Sequence, residues 1–499
     1  MAKILIIGGG VSGLAAGIYA QMDGHQAIIC ERCSVAGGNL TGWQRGDYHI
    51  DNCIHWLTGT NPATDTYKMW EELGALGGVE VYQGETLYTY SKNGQEMSLN
   101  KDLKKMEQEM LKISPEDKKE INSFFRAIEI VQGMSGIAGE DHDKKCSHAQ
   151  MLTSLPYLYK YYSMTAGELA ERFKHPLLRG FISSFLGDYF GAIALIIVFA
   201  HFCGENGGIP VGSSRGMAKR MTDRFVELGG MLYLNKNASK VNLYCGKAVS
   251  VSFDDGDEIS ADYVVLTADP AVIFKELLSI PMPKKLQAEY KDRRKMRFSG
   301  IHCAFACDMA TLPFKGDIIF DIPREYQGEL HSKNLIIREF SHEPSFAPEG
   351  KNILQSVVFC DERLSRKFIR LRKNRPLYEQ RKREHAELVQ SLIEEKFPHM
   401  RGKLKCIDIW TPATYKRFID SEIGSFMSFA LPSKCLPTRI SNKIDGLENV
   451  ILASQWQQIP GGLPIAAEGG RIAAQTIARL EKKHAHKKQE KYEKALSRA

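Results

Sequence analysis

The chain has 499 residues, of which 43% are hydrophobic and 25% charged, with a formal net charge of +7. That length bounds it to two or three domain-sized units, and the composition excludes a disordered or fibrous protein. The charge is too small and too dispersed for a nucleic-acid binder, and 11 scattered cysteines exclude a disulfide framework and fit a reducing cytoplasm.

In chain order, Lys3 to Ile7 reads as a short buried strand that runs straight into glycines, without the charged start and cleavage site of a signal peptide. Val11 to Met22 has helical apolar spacing, and Gln26 to Glu31 reads as a second strand. Residues 63–200 read as predominantly helical, with helices over 101–112 and 114–132, the second opened by Ser114 and Pro115. The apolar run 191–200 is well short of the ~20 residues of a membrane span. It reads as a buried core helix, with the wall of an apolar pocket as the alternative.

A glycine-rich break at 207–212 precedes a helix over 216–228. Strands over 249–253 and 258–261 flank the turn 254–257, and another buried strand spans 264–268. Strands then mix with one long basic helix near 376–396, before strand, glycine turn and helix return over 450–480. The lysine-rich last twenty residues read as frayed. Strand–turn–helix pieces at the start, middle and end imply an α/β fold: a discontinuous Rossmann-type domain with a mixed α+β domain inserted. Residues 1–85, 206–280 and 436–482 form the first, 86–205 (mainly helical) and 281–435 the second, and 483–499 a basic tail.

Gly8, Gly10 and Gly13 make G-x-G-x-x-G directly after a strand and at the opening of a helix, the context that turns a weak pattern into a dinucleotide fingerprint. Gly8 allows the tight turn, Gly10 the close approach of a pyrophosphate and Gly13 the packing of helix on strand. The helix N-terminus, at Val11 and Ser12, offers free N–H groups to phosphate. Glu31 ends the second strand at the spacing of an acid that binds ribose hydroxyls, and its charge excludes a 2′-phosphorylated nucleotide. Cys30 and Cys33 have CxxC spacing but no second pair, so no metal is expected.

Glu31 and Arg32, then Gly37, Gly38, Asn39 and Leu40, then Asp51 and His55, resemble the extended motif of the FAD-binding amine oxidase and phytoene desaturase superfamily. That superfamily has Arg after the Gly-Gly pair, where this chain has Asn39, and glycine where it has Cys53. Residues 207–230, then Ala261, Asp262, Val264, Val265, Ala268, Asp269 and Pro270, resemble phytoene desaturases, carotenoid isomerases and retinol saturase. The resemblance implies adenine contact by backbone near Val241. Residues 446–471 complete it: Gln455 and Trp456 stand where the family has Gly-Asp, Gly-Glu or Gly-Thr-His. The turn and helix start at Gly462, Leu463, Pro464 and Ile465 would face the flavin.

The resemblance implies non-covalent FAD and desaturation, saturation or isomerisation of an apolar polyene, isoprenoid or lipid. No second G-x-G-x-x-G supplies a nicotinamide domain, and no Ser-His-Asp, HExxH or zinc cluster stands out. Residues 181–202, with their phenylalanines, could line the substrate pocket. Basic stretches at 363–383 and 482–494 are either solvated faces or contacts with the inner face of a membrane. His55, Asp420 and Glu468 are candidate proton carriers, with a structural His55 favoured, and the catalytic group stays unassigned. An amine oxidase and a non-catalytic prenyl-binding protein of the GDP-dissociation-inhibitor type are the alternatives. Oligomeric state is left open.

Overall fold

The computed structural model describes residues 1–134, 148–435 and 439–496. Five short strands form an all-parallel sheet in the order Met231–Tyr233, Gln26–Cys30, Lys3–Ile7, Tyr263–Leu266 and Val450–Leu452. A parallel sheet is covered on both faces, so its strands are near-continuous apolar runs. Ile4, Leu5, Ile6, Val264, Val265 and Val450 are fully buried accordingly. Helices Val11–Met22, Ser213–Glu227 and Leu463–Leu496 pack on one face. The three antiparallel strands Ala238–Tyr244, Lys247–Phe253 and Glu258–Ser260 share a core with the other. Gly470 explains how two helices approach so closely, since a Cβ there would lie 2.4 Å from the Ser12 carbonyl oxygen.

The second large sheet has seven strands in the order Leu404–Trp410, Ser299–Cys307, Asn352–Cys360, Asn334–Glu339, Asp317–Asp321, Thr86–Lys92 and Gln95–Asn100. Only the pairing of Asp317–Asp321 with Thr86–Lys92 is parallel. This corrects the helical expectation for 63–200, because 86–100 is a hairpin. Asn93 and Gly94, both at positive φ, make its turn between Lys92 and Gln95. Asn-Gly is the strongest short hairpin signal, matching the strand twist at little steric cost. The alternating Tyr88 and Tyr90 are buried inward-facing residues of that strand.

Helices Leu103–Ile113, Lys118–Met134, Pro176–Ser184 and Ala192–Cys203 cover this sheet. Leu195, Ile196 and Phe199 are fully buried, so the long apolar run is a core helix. The segment just before it, with Phe185 and Phe190, turns into a cavity instead. The last helix does not fray after residue 480 but continues to Leu496, with the Tyr263 hydroxyl donating to Glu481 at 2.8 Å. Its Lys, Glu, Gln and Ala residues are strong helix formers, which outweighs the lack of an apolar stripe. Residues 497–499 of the expected tail lie outside the described residues. Among the described residues, no helix is long and apolar enough to cross a membrane.

Candidate active site

A cavity of about 740 Å³ runs between the two large sheets, and its wall changes character along its length. One half is built from turns at the ends of the parallel strands. Gly8 and Gly10 follow Lys3–Ile7 and lead into the helix at Val11 and Ser12, all lining the cavity. Gly37 closes on this turn, its N–H donating to the Gly9 carbonyl at 2.8 Å. Glu31 braces both sides: its carboxylate accepts from the Gly9 N–H at 2.7 Å and the Cys33 N–H at 2.8 Å. Charge-assisted bonds of this kind fix the turn more firmly than neutral ones would.

Arg32 pairs with Asp420 at 2.9 Å, which ties the second strand's end to a remote loop. Asn39 donates to the Phe426 carbonyl at 2.9 Å, and its Oδ1 is buried without a partner. Gln455 bridges the same loops, accepting from the Gly462 N–H at 3.1 Å and donating to the Phe426 carbonyl at 3.4 Å. Both ends of its amide thus hold protein partners. Trp456 lies flat on Tyr290, centroids 5.9 Å apart, and edge-on to Phe429. Gly462, Leu463 and Pro464 bring the last helix's N-terminus to the cavity wall.

The other half is aromatic. Tyr189 and Phe190 stack on Phe298 at 4.9 and 5.4 Å, and Trp56, Phe185 and Phe359 extend the surface. Into this apolar chamber the seven-stranded sheet sends one charged pair, Arg338 and Asp317, with Nε to Oδ2 at 3.4 Å. Burial is the main cause that pushes the Asp317 carboxyl up to about 7, with Glu339 adding to it and Arg338 opposing. His55 also lines the chamber, and burial, reinforced by Arg338 and His302, holds its imidazole neutral. Asp51 accepts from the Ser214 N–H at 3.0 Å and hydroxyl at 2.6 Å, and this anchors the loop that carries Cys53 and His55.

Of the residues singled out from the sequence, Gly8, Gly10, Val11, Ser12, Glu31, Arg32, Gly37 to Leu40, His55, Ala268, Gln455, Trp456 and Gly462 to Pro464 line this one cavity. Gly13, Val241 and Ile465 do not. Gly13 serves packing, since a Cβ there would sit 1.9 Å from the Gly8 carbonyl oxygen. Val241 is buried in the core, and residues 236–239, just before it, line the wall instead. Ile465 is on the last helix between Pro464 and Ala466, which line the cavity, but is not part of its wall. Glu468 is paired with Arg471 at 2.7 Å outside the cavity, whereas Asp420 lines it and pairs with Arg32.

Sequence reasoning missed Lys236 to Ser239, Thr267, Ser421, Ser425, Asp317 and Arg338. The serines sit in a loop without a motif. Arg338 and Asp317 are single polar residues in otherwise apolar strands, which no local pattern flags.

The model of the flavin containing amine oxidoreductase family matches residues 11–478. Prolycopene isomerase 1 of an Oncidium hybrid cultivar is 23% identical over 452 residues, 85% of this chain and 74% of its own length. A phytoene desaturase (lycopene-forming) of a Paracoccus species is 22% identical over 95% of this chain and 96% of its own. An oxidoreductase from Methanosarcina mazei shares the fold, with TM-score 0.59 and 16% identity over 96% of this chain and 100% of that one. The residues present fit FAD. The cavity is elongated, opens on a glycine turn and a helix N-terminus, and carries unpartnered polar atoms of Asn39, Ser421 and Ser425 in its wall. The chain is an FAD-dependent oxidoreductase and belongs to the flavin containing amine oxidoreductase family.

Proposed function

We propose that this protein oxidises, reduces or isomerises C–C and C=C bonds of an apolar polyene, isoprenoid or related lipid. The observation that carries this reading is the single cavity joining a dinucleotide-type glycine turn to a chamber walled by Trp56, Phe185, Phe190, Phe298 and Phe359. Such a wall desolvates a hydrocarbon chain, gaining roughly 25 cal/mol per Å² of apolar surface buried. Named relatives acting on prolycopene and phytoene support the same substrate class.

In this reading Gly8, Gly10, Val11 and Ser12 hold the pyrophosphate, Glu31 the ribose, and residues 236–239 the adenine. Gly37 to Leu40 and Gly462 to Pro464 flank the ribityl chain and ring. Residues 1–85, 206–280 and 436–482 act as the FAD-binding domain, with the rest up to 435 forming the substrate domain. Bound FAD supplies the two-electron chemistry, while the chain orients the substrate and excludes water. The helix N-terminus at Leu463 favours negative charge near it. The amine oxidase and non-catalytic alternatives are not favoured.

A finer reading concerns how the substrate arrives. Burial, and then the like charges of Arg372 and Arg375, hold the Arg417 guanidinium below its usual range. This basic face suits a peripheral contact with anionic lipid, which vesicle co-sedimentation would test.

The main test is the absorption spectrum of purified protein, followed anaerobically with polyenes. Bands near about 370 and 450 nm that bleach with a polyene are expected of an oxidised flavin passing electrons in the desaturase direction. Bleaching by an amine alone would overturn the substrate class.

A further inference from the structure

A chamber meant only for hydrocarbon has no use for a buried guanidinium. Arg338 is 8% exposed and faces the cavity from the strand Asn334–Glu339, on the same side as Ile336, two residues before it. Its Nε is buried without a hydrogen bond, and Asp317 is the one carboxylate in ion-pair contact with it among the described residues. Directly across the ladder, Gln355 has an Nε2 that is also buried without a partner.

The other acids nearby are already committed. Glu339 accepts from the Gly316 N–H at 3.0 Å and the Ser341 N–H at 2.6 Å. Asp51 is held by Ser214. Asp317 itself is pushed up to about 7 by burial, so it neutralises Arg338 only in part near neutral pH. His55 and His302 are kept neutral and offer no counter-charge. The site therefore carries a surplus of donors and positive charge at the edge of an aromatic chamber. A buried cation left without a full partner costs several kcal/mol unless a ligand completes it.

We infer that the substrate is amphipathic, a long apolar chain ending in a carboxylate, and that Arg338 receives that carboxylate beside Asp317. The planar guanidinium matches a carboxylate through two parallel N–H groups. Beyond Arg338 the neighbouring space, shared with Asp317 and His55, is about 40 Å³. That is room for about three water molecules, so the chain end meets Arg338 from the 740 Å³ cavity. The inference rests on the polyene or isoprenoid reading above and narrows it. It also separates this chain from a strict hydrocarbon desaturase, for which Arg338 would have only Asp317 to bind.

The test is isothermal calorimetry on the FAD-loaded protein with geranylgeranoic acid, its methyl ester and acetate. The free acid is expected to bind about 30-fold more tightly than the ester, the ratio that follows from a charge-assisted hydrogen bond. Arg338→Gln should erase that difference, and Arg338→Lys should restore part of it. If Arg338→Gln does not fold, the acid-to-ester ratio in the unaltered protein decides alone. Equal binding of acid and ester overturns the inference and leaves the oxidoreductase reading standing. Acetate competing as well as the long acid would mean a simple anion site and also overturns it. Binding of neither long ligand, with flavin reduced by an amine, overturns both.

Discussion

The two halves of the cavity are built by different means. In the half that begins at Gly8, most of the wall is backbone: a glycine turn, a helix start, and loops bridged by Glu31, Asn39 and Gln455. In the aromatic half the wall is side chains from separate elements, Phe185 and Phe190 before a helix, Phe298 beside one strand, and Ile336 and Arg338 within another. Backbone walls tolerate almost no added atoms. Side-chain walls can change size and chemistry while the frame stands, so in the proposed reading substrate choice resides there.

The sharpest way to break this contrast is at Gly13. Its Cβ would overlap the Gly8 carbonyl oxygen at 1.9 Å, and backbone on both sides cannot move aside cheaply. Gly13→Val is expected to yield little soluble protein and no bound flavin, read by flavin absorbance after gel filtration. Retention of a normal flavin content would refute the rigid-turn account.

Asp51→Ala comes next. It removes two hydrogen bonds from Ser214 to a buried carboxylate and should lower stability by roughly 3 kcal/mol, measured by urea unfolding. On the aromatic side, Phe298→Ala should keep full flavin occupancy while raising KM for the apolar substrate about tenfold, since it removes a ring stacked on Tyr189 and Phe190. Loss of flavin in that variant would mean that the two halves are not separable.

A smaller effect distinguishes them by pH. Burial raises the Asp317 carboxyl to about 7, with Arg338 opposing and Glu339 reinforcing, whereas in the unfolded chain it titrates near ~3.9. Between those values the folded state binds the proton more tightly, so this group makes stability fall as pH rises through the window. The difference in unfolding free energy between the natural protein and Asp317→Asn should therefore shift in favour of the variant from pH 5 to pH 8. A pH-independent difference would show that Asp317 stays ionised beside Arg338 throughout.

The glycine-turn half was legible in advance because backbone approach demands particular residues at particular spacings. Only glycine fits at Gly13, and a carboxylate at Glu31 is recognisable by its distance from the turn. The hairpin at 86–100 was equally legible through Asn93 and Gly94 but was masked by strong helical patterns on its C-terminal side. Side-chain destinations were less readable. Gln455 bonds two protein loops, because Phe426 arrives beside it from a segment with no local signature.

By itself, then, the sequence determined the strand–turn–helix frame, the parallel sheet and the dinucleotide character of its turn. Periodicity, glycine sterics and helix-end polarity act over a few residues and leave their mark in order along the chain. Only the tertiary structure decided what the chamber contains. Arg338 and Asp317 meet because the strands Asn334–Glu339 and Asp317–Asp321 pair antiparallel, and they share one cavity with Phe298, just before another strand of the same sheet, and Phe190, just before a helix that covers it. Contacts between residues tens of positions apart or more are set by packing, which no local pattern encodes.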